Sequence, residues 1–164
     1  MRKMYLSAPL PFVGQKRMFA KEFMKVLEQY PDGTLFVDLF GGSGLLSHIT
    51  KSLKPHSTVI YNDFDNYRFR MKHIPQTNQL LADIREMVGN SVPRHKIIKG
   101  ELRERIFSRI EQEENSTGYV DFITLSSSIL FSMKYKLSVQ DMRKEALYNN
   151  IRKTGYPECT DYLE

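Results

Sequence analysis

The sequence predicts an α/β fold on three observations: two short β-rich runs, a glycine-rich turn directly after the first of them, and a helical apolar pattern between the two. The runs are Thr34 to Asp38 and Ser57 to Tyr61, rich in β-branched and aromatic residues and each ending at or just before an acidic residue. Between them Leu45, Leu46, Ile49 and Leu53 recur at helical spacing, and Pro55 closes that element. Strand, glycine turn, helix and strand in that order make a βαβ unit with parallel strands and a right-handed crossover.

Upstream, Met18, Phe19, Phe23, Val26, Leu27 and Tyr30 form an apolar stripe that predicts a helix ending at Pro31-Asp32-Gly33. Downstream the pattern changes to helix without strand. Leu80, Leu81, Ile84, Met87 and Val88 suit one helix, and Leu102, Ile106 and Ile110 a second. A third is expected through Phe122, Leu125, Ile129 and Met133, and Ser138 is placed to cap a fourth running towards Leu147. Gly89 to Pro93 and Asn115 to Gly118 read as loops.

Composition excludes several classes. Of the 164 residues 41% are hydrophobic and 26% charged, with no apolar run of bilayer length, so a soluble domain is expected. No secretory signal pattern opens the chain, which makes the cytoplasm the default location. Cys159 is the single cysteine, expected to be an exposed or half-buried thiol, and the four histidines lack ligand spacing; disulfide and zinc readings are therefore discarded. A formal charge of +5 favours a polyanionic partner through phosphate neutralisation.

The chemistry concentrates in Asp38-Leu39-Phe40-Gly41-Gly42-Ser43-Gly44. Glycines between a strand and a helix let the backbone bend tightly and approach a ligand that any Cβ would exclude, which points to a nucleotide-like ligand. A tight turn capped by Ser43 fits this stretch equally well. The lysine and hydroxyl residue that end a phosphate-binding loop are absent, and so is the third glycine of the dinucleotide fingerprint. About 20 positions on, Asn62-Asp63-Phe64-Asp65 supplies carboxylates where such folds bind ribose hydroxyls; Asp63 is the better candidate, with a turn or N-cap role as its alternative. Ser126-Ser127-Ser128 lacks the context of a nucleophile and reads as small residues on a packed helix.

Pro11-Phe12-Val13-Gly14-Gln15-Lys16, then Phe36 through Gly44, then Asn62-Asp63-Phe64-Asp65 resemble, in order and separation, the first three motifs of the Dam-type class of DNA N6-adenine methyltransferases. The resemblance implies a partial Rossmann-like S-adenosylmethionine-dependent methyltransferase fold with a largely helical insertion. It implies that Phe12, Gly14, Lys16, Asp38, Gly41, Gly44 and Asp63 bind S-adenosylmethionine: an aromatic ring and a lysine against the cofactor, the glycine turn at its methionine part, and the second-strand carboxylate at its ribose. Gln15 stands where Dam itself has glycine and Phe12 where it has tryptophan, which marks a divergent branch.

On the same basis residues 1–66 are the cofactor-binding half, 67–155 a helical, DNA-recognition-like insertion, and 156–164 the start of a catalytic half. Arg103, Arg105, Arg109, Lys134, Lys136, Arg143, Arg152 and Lys153 are the cations available for phosphates of double-stranded DNA, although as a set they read better as solubilising helix faces. The family's Asp-Pro-Pro-Tyr motif, which holds the target amine and stacks on the flipped base, does not occur. The chain is accordingly expected to be part of a longer enzyme, inactive alone, and able to pair with another copy through surface meant for the other half. A non-catalytic DNA-binding or regulatory module derived from a methyltransferase, or methylation of cytosine N4 or RNA, are the alternatives.

Overall fold

The computed structural model describes residues 3–164. They form two compact units, one taking the chain up to Lys72 together with Glu158–Glu164, the other His73–Pro157.

In the first unit a 3-10 turn at Lys16–Phe19 leads into α1 (Ala20–Glu28), followed by β1 (Leu35–Asp38), α2 (Leu45–Leu53), β2 (Thr58–Tyr61) and α3 (Tyr67–Lys72). β1 and β2 pair in parallel, Leu35 opposite Thr58 and Asp38 opposite Tyr61, and α2 is the crossover between them. The expected βαβ unit is present to within one residue of each strand start. Asp32 joins its two entrances: Oδ1 accepts from Gly33 N at 2.9 Å, His56 N at 3.0 Å and Ser57 Oγ at 3.3 Å. Leu27, Leu45, Ile49, Tyr67 and Tyr162 are buried in the core.

The apolar stripe upstream is shorter than its sequence suggests. Met18 and Phe19 lie in the 3-10 turn and face solvent, and only Ala20 and Leu27 of α1 are buried. Cys159, expected near the surface, is buried, because the closing segment packs into the same core. His48 organises that packing. Tyr5 N–H donates to its Nε2 at 2.9 Å, so Nδ1 carries the proton that meets the Tyr162 carbonyl, also at 2.9 Å, while the Tyr162 ring stacks on the imidazole.

The second unit contains α4 (Ile74–Val88), β3 (Ile97–Ile98), α5 (Gly100–Thr117), α6 (Phe122–Ile129), α7 (Val139–Arg143) and β4 (Leu147–Tyr148). The expectation of helix without strand is corrected here: β3 and β4 pair antiparallel, Ile98 opposite Leu147. Two-residue strands carry no periodicity to be read. Leu147 therefore belongs to β4, and the helix that Ser138 caps, through Asp141 N, stops at Arg143. Asn115 to Thr117 complete α5, and Gly118, at φ +72°, ends it in the left-handed conformation that glycine tolerates best. α6 stops at Ile129, leaving Met133 exposed in a loop at φ +68°. Ser126 and Ser128 are buried on α6 as expected of packed small residues; Ser128 Oγ donates to the Thr124 carbonyl.

Phe107 is fully buried, with the guanidinium carbons of Arg103 and Arg143 4.6 and 4.5 Å from its ring centre. Truncation to alanine leaves a cavity and strips both cations of their aromatic contact, so Phe107→Ala should cost about 3–5 kcal/mol in chemical denaturation. A loss below about 1 kcal/mol would contradict this packing.

Ion pairs set the pH response. Arg143 holds Glu104, Lys144 holds Asp141 and Lys134 holds Glu145 below the usual carboxylate range. Each folded value lies under the unfolded one, so the stabilisation is complete only above the unfolded values, from about pH 5 upward, and is lost as pH falls through the folded values. Thermal melts should fall modestly as pH drops below about 5, and slightly less in Lys134→Met and Lys144→Met, since solvent-screened surface pairs each contribute little; equal slopes in parent and variants would show these pairs to be irrelevant.

Candidate functional site

A cleft of about 510 Å³ opens in the first unit between residues 12–16, the glycine turn and the loop after β2. Its shape begins with Tyr61. A Cβ on Gly41 would lie 2.2 Å from the Tyr61 ring and 2.7 Å from the Asn62 carbonyl oxygen, so only glycine lets the turn lie against β2. The Tyr61 hydroxyl is 2.7 Å from the Gly42 carbonyl and 3.0 Å from Asp63 Oδ1, one proton shared between two acceptors. Burial, and then the Asp63 carboxylate, push this phenol well above its ordinary value, which keeps it a donor.

The turn is held from below as well. Gly44 N–H donates to the Gly41 carbonyl at 2.7 Å, and Gly44, at φ +71°, starts α2. Ser47 Oγ on the first turn of α2 donates to Asp38 Oδ2 at 2.7 Å, and Asn62 Nδ2 donates to the Leu39 carbonyl at 2.9 Å. These bonds tie both strand ends to the turn.

The Phe12 segment is positioned by α3. The Tyr67 hydroxyl accepts from Leu10 N–H at 2.9 Å and donates to the Leu10 carbonyl at 3.2 Å, and Arg70 Nη2 donates to the Pro11 carbonyl at 2.8 Å. The Phe12 ring then meets Tyr67 edge to face, 5.7 Å between centres, and stands over Gly42. Lys16 Nζ donates to the Phe40 carbonyl, so its ammonium already sits at the turn.

Of the residues nominated from sequence, Phe12, Gly14, Lys16 and Gly41 line the cleft together. Asp38 and Gly44 lie behind it: Asp38 accepts from Ser47, and a Cβ on Gly44 would meet Leu163 at 2.4 Å. Asp63 accepts from Tyr67 N–H at 2.6 Å and Arg68 N–H at 3.0 Å, capping the start of α3, while Asp65 lines the cleft beside Asn62 and Phe64. Tyr61, Tyr67 and Arg70 are the supporting residues that sequence reasoning missed. The aromatic position at the end of β2 was the one visible hint.

The cations nominated for DNA are largely engaged elsewhere. Arg109 pairs with Asp83 and Glu113, Arg143 with Glu104 and Glu111, Arg103 with Glu104, and Lys134 and Lys136 with Glu145. Arg152 lies over the Tyr156 ring at 4.4 Å; Arg105 and Lys153 form no ion pair among the described residues. Among the described residues no helix is long and apolar enough to cross a membrane.

The chain is 41% identical over 167 aligned positions to a protein of Haemophilus influenzae named "Putative methyltransferase". The match takes in 99% of this chain and 55% of the relative. The chain is a homologue of that protein and spans about half its length. No protein-family model matches the chain, and no solved structure matches it.

Gly41→Ala should destabilise the first unit by about 1–3 kcal/mol, since the methyl group cannot fit without moving Tyr61 or the Asn62 backbone. Gly33→Ala is the control: its φ is +92° but its Cβ meets open space, so it should cost about 1 kcal/mol. Equal denaturation midpoints for the two variants would mean that the turn does not rest on Tyr61.

Proposed function

We propose that this chain is the cofactor-binding and DNA-facing part of an S-adenosylmethionine-dependent DNA adenine-N6 methyltransferase of partial Rossmann-like fold. One observation carries the reading: the glycine turn, Phe12, Lys16 and the loop after β2 converge on one cleft, in a chain homologous to a protein named as a methyltransferase.

The donor set fits such a ligand. S-adenosylmethionine supplies a methyl group on a sulfonium centre, and carries a carboxylate, an ammonium, a ribose diol and a purine besides. Phe12 offers an aromatic face to a sulfonium cation. Lys16, beside the glycine turn, suits the carboxylate, and the start of α2 adds backbone donors of the kind that attract anions. Gly41 and Gly42 leave room for close backbone approach. Phe64, 85% exposed, offers an apolar surface to a purine.

For the ribose the reading keeps Asp63. Its three hydrogen bonds, from the Tyr61 hydroxyl and the Tyr67 and Arg68 amides, use three of roughly four acceptor sites on the carboxylate. Asp65 is the neighbouring carboxylate and, unlike Asp63, it lines the cleft.

The proposed enzyme acts on adenine in duplex DNA, with the base flipped out of the stack to meet the methyl donor. The Asp-Pro-Pro-Tyr group that holds the amine in this class is not in the sequence, so these 164 residues should transfer no labelled methyl group to DNA by themselves. Label found in adenine after incubation with the pure chain would overturn that statement.

Calorimetric titration with S-adenosylmethionine tests the cofactor site. Asp63→Ala should weaken binding about ten- to hundredfold, on the order of 1–3 kcal/mol, and should also lower the melting temperature, because it removes the α3 cap. Asp65→Ala should cost less. Unchanged affinity in Asp63→Ala would remove the ribose assignment, and a larger loss at Asp65 would move the diol to that carboxylate.

A further inference from the structure

The Tyr61 hydroxyl has one proton and two acceptors. It stands 2.7 Å from the Gly42 carbonyl oxygen and 3.0 Å from Asp63 Oδ1, and no other donor among the described residues reaches that carbonyl. Whichever acceptor takes the proton, the other is left facing an oxygen lone pair, which is unfavourable for a group shielded from water. The two acceptors belong to different parts of the site. Gly42 lines the cleft in the glycine turn, whereas Asp63 lies behind it and caps α3 through Tyr67 N–H and Arg68 N–H. From α3 the Tyr67 hydroxyl and Arg70 Nη2 hold Leu10 and Pro11, and with them the Phe12 ring that stands over Gly42. A closed circuit therefore runs from the turn through Asp63 and α3 back to the turn, and one hydroxyl is its switchable member.

We propose that Tyr61 is a positioning residue that couples occupancy of the glycine turn to the Phe12 wall: a ligand ammonium donating to the Gly42 carbonyl turns the Tyr61 hydroxyl onto Asp63, and the anchored carboxylate steadies α3 and the Phe12 segment. The bond gained, from a hydroxyl to a carboxylate, is charge-assisted and stronger than the bond to an amide carbonyl that it replaces. Burial and the Asp63 carboxylate both oppose ionisation of the phenol, so it acts by rotating its O–H and keeps its proton. The coupling is reciprocal: a steadied Phe12 wall tightens the hold on the ligand that steadied it. The inference rests on the reading that the cleft takes S-adenosylmethionine, whose amino-acid end supplies the ammonium.

Amide hydrogen exchange of the chain with saturating S-adenosylhomocysteine tests it, with 5′-methylthioadenosine, which lacks the amino-acid end, as the comparison. S-adenosylhomocysteine should slow exchange at Leu10, Tyr67 and Arg68 by at least about fivefold. Methylthioadenosine should leave those three amides unchanged while protecting residues 62–65. In Tyr61→Phe, which keeps the ring against Gly41, S-adenosylhomocysteine should still protect the turn amides 41–44 but no longer those of Leu10, Tyr67 and Arg68. Protection confined to the turn in the parent, undiminished protection of the three amides in Tyr61→Phe, or equal protection by both ligands would overturn the coupling and leave the cofactor reading in place. No protection of residues 41–44 or 62–65 by millimolar S-adenosylhomocysteine would remove the cofactor reading, and the coupling with it.

Discussion

The cleft depends on the contact between Gly41 and Tyr61. The Tyr61 ring occupies the space of a Gly41 side chain, and its hydroxyl is placed between the Gly42 carbonyl and the Asp63 carboxylate. One side chain at the end of β2 thereby sets the height of the glycine turn and the position of the loop that follows. Asp63 transmits that position to α3 through Tyr67 and Arg68, and α3 in turn fixes Leu10 and Pro11, and with them Phe12. Three walls of the cleft are thus referred to one half-buried phenol.

What could be read from the sequence is what local chemistry dictates. The β-branched runs, the glycine turn and the 3.6-residue apolar spacing placed β1, α2 and β2, and four of the nominated residues do meet in one cleft. The rest depended on contacts distant in the chain. β3 and β4 are two residues each and pair across nearly fifty positions. Cys159 is buried because the closing segment returns to His48, a partner more than a hundred residues earlier. Asp63 and Asp65 look alike in sequence, and only the donors at the start of α3 distinguish the capping carboxylate from the one that lines the cleft.

Net charge was the least informative signal. The chain carries +5, yet in the second unit most of the cations nominated for phosphate contact face carboxylates or arene rings. Arg143 alone bridges Glu104 and Glu111 while lying against Phe107. Such pairs hold α5 and α7 in place, and a cation already neutralised contributes little counterion release on meeting DNA. Any phosphate contact from this unit falls more naturally to exposed cations such as Arg105 and Lys153 than to the paired ones.

The central claim is that the cleft formed by the glycine turn, Phe12 and the end of β2 receives S-adenosylmethionine. Backbone amide resonances followed by NMR as the unreactive product S-adenosylhomocysteine is added test it most directly. The account predicts shifts concentrated at residues 39–45 and 62–65, with the amides of residues 74–157 largely unmoved. Saturable shifts centred in the second unit, or none at millimolar ligand, would contradict it.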